Sequence, residues 1–446
     1  MRTFPGGFHP HDHKERSKGQ AIRCLPVPAQ VVLPMVQHIG VPCVPTVKKG
    51  DAVCLGQVVG TPDPENPRRF VSARVHASVS GEVVAVEPRP HPFGSPVLSV
   101  VLQNDGQDTW VDGLLDETDP GGLDAAAIKD RIQAAGIVGM GGAAFPTHVK
   151  LSPPPDKPID TVILNGAECE PYLTCDYRLM LEQAEEIVEG LQLIARTVDA
   201  KHLYIGIEAN KRDAADVLRR AAEGTGIAVE LCRVKYPQGA EKQLIVALTG
   251  RRVPAVGLPL EVGVVVHNVA TALAIRQAAC SNRPLVDRVL TVAGDGVKRP
   301  ANLRVRLGTP IRHVLDDARP RDGVRKIVLG GPMMGLAQHR TDVPVIKGTS
   351  GVLALRAAPT HTWRACISCG RCVDACPMNL LPNEISIACE ARDVDAIAAT
   401  TILDCFECGG CAYVCPAKRP IVHWVKFGKA ELAKRRAEQQ ARQAAG

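Results

Sequence analysis

The chain is short of aromatic residues: Phe, Trp and Tyr together make up 3% of its 446 positions. That leaves few flat side chains on which nucleic-acid bases could stack. Nor does charge of one sign dominate. The net charge is +6, on 53 basic and 47 acidic residues, and part of it lies in the tail "KAELAKRRAEQQAR" (429–442). No nucleic-acid partner is expected. No apolar run reaches the roughly 18 residues of a membrane-spanning helix. The nearest approach, "VGVVVHNVATALAI" (262–275), is shorter and carries His267 and Asn268. The opening "MRTFPGGFHPHDHKERSKGQ" is polar and basic, without the apolar segment of a signal peptide. These absences predict a soluble or peripheral protein with no transmembrane helix.

What the chain does have is bulk and sulfur. Hydrophobic residues at 45% against 22% charged can fill sizeable cores, and the length suits about three domains. Sixteen cysteines are present. Eight are scattered (Cys24, Cys43, Cys54, Cys169, Cys175, Cys232, Cys280 and Cys389), a distribution that fits a reducing compartment better than a disulfide framework. The other eight fall in two copies of one pattern, "CISCGRCVDACP" (366–377) and "CFECGGCAYVCP" (405–416).

Cys-x2-Cys-x2-Cys-x3-Cys-Pro is the bacterial ferredoxin run, in which three close thiolates bind one cluster and the fourth reaches the other. Cys366, Cys369, Cys372 and Cys415 are therefore expected to hold one [4Fe–4S] cluster, and Cys405, Cys408, Cys411 and Cys376 the second. Zinc is the alternative, but structural zinc favours two separated Cys-x2-Cys pairs. Between the motifs, residues 381–400 read as a helix with Cys389 buried inside it. Two clusters move single electrons and cannot accept a hydride, so the remaining chain should supply the electron source.

"AAGIVGMGGAAFPTHVKL" (134–151) is a glycine turn whose N–H groups can face a phosphate or a flat ring; taken alone, it reads first as a tight turn between packed elements. "DTVILNGAECEPYLTCDYRLM" (160–180) is a buried strand ending in an acidic turn, followed by helical spacing. Alone, its glutamates could simply cap that helix. "HLYIGIE" (202–208), "KRDAADVLRRAAEG" and "AVELCRVKY" (228–236) continue the alternation of strand and helix. A doubly wound sheet follows, with ligands expected beyond the carboxyl ends of its strands.

"GMGGAAFPTHVK" and "NGAECEPYLTCDYRLM" together resemble the flavin- and NADH-binding loops of the NADH-oxidising subunit of respiratory complex I. The chain is more similar still to the RnfC (RsxC) family, the peripheral subunit of the Rnf electron-transport complex. That resemblance runs from "FPGGFHPHDHKE" through "VSARVHASVSGEV", "YPQGAEKQL", "HNVATALAI" and "GGPMMG" to the doubled cysteine motif. It implies noncovalent FMN and NAD(H) beside the two [4Fe–4S] clusters. By position, Gly139, Gly141, Gly142 and Lys150 match the loop that holds FMN phosphate. Asn165 and Glu168 match residues near the flavin, and Glu170 and Phe145 match the nicotinamide side, with Glu168 and Glu170 as the candidate catalytic pair. Tyr236, Glu241, Asn268 and Thr271 match flavin-pocket positions. Ala167 stands where the complex I turn carries aspartate.

The implied architecture is α/β and multidomain. A barrel-sandwich hybrid is expected over 1–120 with its N-terminal extension, a Rossmann-like FMN/NADH domain over 121–255 and a β-grasp, SLBB-like domain over 256–355. A ferredoxin-like helical domain with two [4Fe–4S] clusters follows over 356–425, and a basic tail over 426–446. The barrel tip "HASVSGEV" has no lysine to carry biotin or lipoate, so it reads as a docking module. The tail reads as a solvated helix or disorder, and the terminus with His9, His11 and His13 as a mobile polar arm. The implied activity is NADH:ferredoxin oxidoreduction of translocase type: hydride from NADH to FMN, then single electrons through the clusters. The implied partners are the other Rnf membrane and iron–sulfur subunits and, through the complex, ferredoxin. The implied location is the cytoplasmic side of a bacterial inner membrane. A soluble flavin iron–sulfur NADH dehydrogenase with another acceptor, or a non-enzymatic electron-carrier scaffold, are the alternatives.

Overall fold

Short β-branched runs separated by turns build the N-terminal module in the structure, a computed structural model that describes residues 1–445. After β1 (Ile22–Cys24) come β2 (Gln30–Pro34), β3 (Cys43–Pro45), β4 (Ala52–Val53), β5 (Val58–Pro62), β6 (Val75–His76), β7 (Gly81–Arg89) and β8 (Val97–Asn104). They form two small sheets, β2-β8-β7-β4 and β3-β5-β6. Alternate side chains fill the space between them, with Val31, Leu33, Val59, Val83, Val100 and Leu102 all fully buried. The tip that could have carried a prosthetic group is docked instead. Ser78 donates its hydroxyl to the Leu307 carbonyl at 2.5 Å, and Val32 N–H donates to Gly308 at 2.9 Å.

The next segment alternates: α1 (Ala125–Ala134), α2 (Thr147–Lys150), β9 (Thr161–Gly166), α3 (Cys175–Glu182), α4 (Ala184–Val198), β10 (His202–Glu208), α5 (Arg212–Ala221), β11 (Ala228–Cys232), α6 (Glu241–Thr249), β12 (Val264–Asn268) and α7 (Val269–Ser281). The four strands pair in parallel in the order β11-β10-β9-β12. The fourth strand, β12, lies past residue 255, so the sheet extends beyond the boundary read from the sequence. Its run of five buried residues, Val264–Asn268, is a central-strand signature that periodicity alone does not separate from a buried helix. Helices α4 and α7 pack so closely that a Cβ on Gly190 would stand 2.1 Å from the Ala272 carbonyl. The stretch expected as one helix breaks into α3 and α4 at Gln183.

A mixed sheet follows, from β13 (Asp287–Ala293), β14 (Ala301–Arg306), α8 (Ile311–Asp317), β15 (Lys326–Leu329), β16 (Leu336–Gln338) and β17 (Gly351–Leu355). Its order is β1-β14-β13-β17-β15-β16, so the N-terminal extension lends this mixed sheet an edge strand. The last unit is helical: α9 (Arg371–Asp374), α10 (Pro382–Glu390), α11 (Val394–Ala399), α12 (Gly410–Val414) and α13 (Ile421–Ala445). The helix expected over 381–400 is two. Arg392 has φ +56°, a left-handed break, and Asp393 then caps α11 through the N–H groups of Asp395 and Ala396. Cys389 is buried against Gly428. The basic tail belongs to α13, whose Ile421, Val425 and Leu432 are buried while residues 433–443 are exposed. Among the described residues no helix is long and apolar enough to cross a membrane.

Candidate functional site

Three backbone turns meet at the carboxyl ends of β9 and β12, where a doubly wound sheet places ligands. The first is the start of α7. Asn268 caps it, accepting the Ala270 N–H at 2.8 Å, and its amide donates to Asp176 Oδ2 at 2.6 Å. The second is the glycine turn, pinned onto α7 by Met140 N–H donating to the Thr271 hydroxyl at 2.9 Å. Gly139 N–H donates to the Phe145 carbonyl at 2.8 Å, closing the turn. Gly141 faces Asn268, at 3.5 Å from an added Cβ to the Asn268 Cβ. Gly142 has φ +117° and nothing within 4 Å of its Cβ position. This is an open cradle beside the N-terminus of a 13-residue helix, where unpaired N–H groups and the helix dipole favour an anion.

The third is the acidic turn. Asn165 at the end of β9 donates to the Gly239 carbonyl at 2.7 Å and accepts Ala167 N–H at 3.1 Å. Glu168 has φ +45° and turns its carboxylate onto the start of α3, accepting Asp176 N–H at 2.7 Å and Tyr177 N–H at 3.3 Å. It is a helix cap, buried rather than solvated, with Lys14 Nζ at 4.0 Å. Glu170 points to the opposite wall and accepts the N–H groups of Met333 (3.1 Å) and Met334 (2.9 Å) in "GGPMMG". Burial pushes its carboxyl up to about 7, against the pull of those two amides. Burial, and then the neighbouring Glu168 charge, also hold Asp176 above the usual carboxylate range.

Lys150 Nζ sits 2.5 Å from both Glu241 Oε1 and the Val266 carbonyl, so its charge is already paired. Tyr236 is fully buried and donates its hydroxyl to the Cys408 carbonyl at 2.8 Å. The twelve candidate residues thus lie on these turns, at the end of α2 (Lys150), or at the loop and start of α6 (Tyr236, Glu241). Lys14, Asp176 and the Met333–Met334 amides are additional members that the sequence did not single out. Lys14 comes from the terminus expected to be mobile. That expectation is corrected: Lys14 is buried, and hydrogen bonds from Arg2 onward hold this segment to the sheet and the site.

The cysteines form two groups. Cys366, Cys369, Cys372 and Cys415 line one cavity together with Asn383 and Arg419. Arg419 is buried and its Nε has no hydrogen-bond partner among the described residues. Cys376 instead interacts electrostatically with Cys405, Cys408 and Cys411. Burial pushes the Cys408 thiol up to about 11, with the Cys405 and Cys376 sulfurs adding to the rise, and it pushes Cys411 up as well. Four crowded thiols, none in a disulfide, suit a metal that takes them as thiolates. Both groups therefore fit [4Fe–4S] clusters in the crossed pattern. The Cys376 group borders the turns described above: Tyr236 bonds Cys408, Gln243 donates to the Pro377 carbonyl at 3.1 Å, and Gly409 abuts the Met333 carbonyl. The other group lies outward, with Cys369 exposed and Ile367 66% exposed.

Known protein families match this layout segment by segment. The RnfC barrel sandwich hybrid domain matches residues 2–107, the Nuo51 FMN-binding domain residues 132–277 and the 4Fe-4S dicluster domain residues 365–419. In fold alone, the chain resembles the NAD+-reducing [NiFe]-hydrogenase in its H2-reduced state, with TM-score 0.50 and 20% identity over 65% of this chain and 61% of that one. The C component of the Na(+)-translocating ferredoxin:NAD(+) oxidoreductase complex of Acetobacterium woodii is 47% identical over 97% of this chain and 98% of its own length. Its proton-translocating counterpart in Clostridium ljungdahlii is 44% identical over 97% and 94%. The C component of the ion-translocating oxidoreductase complex of Rhodobacter capsulatus is 41% identical over 97% and 84%. Matched by the family's own N-terminal domain and by relatives along 97% of its length, the chain belongs to the RnfC family.

Proposed function

We propose that this chain is the NADH-oxidising, electron-input subunit of a membrane Rnf complex, working as an ion-translocating NADH:ferredoxin oxidoreductase. The observation that carries the proposal is the direct contact between the flavin-type turns and the Cys376 group, through Tyr236, Gln243 and Met333. When bound, FMN takes the two electrons of a hydride and the clusters pass them on singly. The chain's own residues bind and orient. Gly141 and Gly142, beside the start of α7, offer N–H groups to the FMN phosphate in a turn that Gly139 closes, with Lys150 and Glu241 as a paired charge beside them. Asn165, Tyr236, Asn268 and Thr271 frame the flavin side of the pocket.

Phe145 and Glu170 stand on the nicotinamide side in this reading. Glu170 is the residue there whose proton is exchangeable near neutral pH. Glu168 acts through the turn it caps, so it is a positioning residue rather than a proton donor. The unit that binds FMN is taken to run from 121 through α7, with the β-grasp unit after it to 355 and the cluster unit from 356. The subunit sits peripherally on the cytoplasmic face, against the other Rnf subunits, and passes electrons toward ferredoxin through them.

The test is anaerobic purification followed by cofactor release and NADH titration. FMN and about eight irons per chain are expected, with NADH bleaching the flavin and then producing reduced-cluster EPR signals. A protein that contains the clusters but neither binds FMN nor responds to NADH would refute it.

A further inference from the structure

The segment before β1 is not consumed by the barrel or by the turns, yet it touches both halves of the electron path. Arg2 pairs in parallel with Cys232 at the edge of β11, through Arg2 N–H to Leu231 (3.0 Å) and Arg233 N–H to Arg2 (2.9 Å). The chain then leaves the sheet and crosses to the cluster unit. Gly7 N–H donates to the Ala375 carbonyl at 3.2 Å, and Gly6 lies so close to the Cys376 carbonyl that an added Cβ would stand 2.7 Å away. Phe8 and Tyr236 exchange backbone hydrogen bonds at 3.0 and 2.8 Å. The Phe8 ring stacks on Tyr413 at 4.7 Å and meets Tyr236 edge-on at 5.5 Å, with Gly410 beneath it. Beyond it the chain returns to the acidic turn, where Tyr172 N–H donates to Asp12 at 2.8 Å and Lys14 Nζ to the Glu168 carbonyl at 2.5 Å. Arg16 ends the path on the β-grasp unit, at 3.1 Å from the Gly294 and Val297 carbonyls.

We infer that residues 4–14 form a strap that fixes the gap between the acidic turn and the Cys376–Cys405–Cys408–Cys411 group, and that Phe8 is its positioning residue. The strap bonds the backbone on both sides of that gap. It bonds next to a ligand cysteine at Ala375, next to Tyr236, and at the Glu168 carbonyl. Phe8 fills the space between Tyr236 and α12 with a ring held on two faces. Electron transfer weakens steeply with distance, so loss of the ring should cost the step across the gap while leaving steps on either side alone. The strap rests on the proposed function only for what crosses the gap; the docking itself does not.

The experiment uses the full chain with its cofactors, comparing Phe8→Ala and Phe8→Tyr with the unaltered protein in anaerobic rapid mixing with NADH. Backbone hydrogen exchange is followed in parallel at 7–8, whose N–H groups make the strap's bonds, and at 408–413. Phe8→Ala is expected to keep its FMN and iron and to bleach flavin at the normal rate. Its clusters should be reduced about tenfold more slowly or worse, and exchange at both segments should rise. Phe8→Tyr should restore both. If Phe8→Ala does not accumulate, Tyr413→Ala removes the same stack from its exposed side and should give the same split. Normal cluster reduction with unchanged exchange would overturn the proposal, as would an equal slowing of flavin bleaching or a loss of FMN. If the unaltered protein does not respond to NADH, the proposed function fails, and the exchange comparison alone decides the strap: raised exchange supports it and unchanged exchange overturns it.

Discussion

Tyr236 donates its hydroxyl to the carbonyl oxygen of Cys408, and this bond joins the nucleotide-type fold to the second cysteine motif. Both partners are buried, so removing the donor leaves a carbonyl unpaired. Tyr236→Phe should cost about 1–3 kcal/mol of stability. It should lower the thermal midpoint and slow electron entry into the Cys376 group while FMN content holds. Calorimetry beside a cofactor assay checks it; an unchanged midpoint with normal cluster reduction would show that the bond does not couple the two units.

The crossed cysteine grouping makes a prediction that straight ligation does not. Cys376→Ser should damage the cluster whose other ligands are Cys405, Cys408 and Cys411, nearly 30 residues further on. Cys415→Ser should damage the one shared with Cys366, Cys369 and Cys372. EPR of each variant after dithionite reduction distinguishes the two signals. Loss, in each case, of the cluster bound by the mutated cysteine's own motif would mean that each motif closes on itself.

Glu170 gives the site a pH dependence with a definite sign. Its folded carboxyl titrates at about 7 because of burial, above the usual 4.5. The folded protein therefore holds a proton that the unfolded chain has released, and stability should fall as pH rises between those two values. Glu170→Gln keeps the shape and one acceptor for the Met333–Met334 amides, so it should flatten that fall in denaturant melts across pH 4.5–7.5. It should also slow NADH-driven flavin reduction, by about a hundredfold for a lost proton-bearing group, with FMN still bound. A variant whose melts keep the slope of the parent would place the titrating group elsewhere.

How much of this was legible in the sequence depends on how local each feature is. Each copy of the cysteine pattern lies within a dozen residues, so its spacing alone pointed to two [4Fe–4S] clusters rather than zinc. The glycine turn and the strand end of "TVILN" were legible for the same reason. The engagement of Glu168 and Glu170 was not, because their partners, the start of α3 and the "GGPMMG" amides, are set by tertiary placement. The N-terminal strap was misread as a mobile arm, since a segment rich in Gly, Pro and His has no periodicity and its order comes from contacts with Cys232, Ala375 and Tyr236. The breaks at Gln183 and Arg392 are single-residue backbone conformations that helical spacing does not report. Residues 264–268 show buried strand and buried helix reading alike until pairing with β9 decides.

The central claim is that NADH electrons enter at the glycine and acidic turns and reach the clusters from there. It is tested most directly by one anaerobic NADH titration, followed by visible absorbance and EPR, on the unaltered protein and on Gly141→Val. Gly141 faces Asn268 at the mouth of the open cradle, and a β-branched side chain there would occupy the space a phosphate needs. The account predicts that the unaltered protein bleaches and shows reduced clusters with NADH. Gly141→Val should lose FMN and all response to NADH, yet give full cluster signals with dithionite. A Gly141→Val protein that retains FMN and reduces its clusters with NADH at the normal rate would contradict the account.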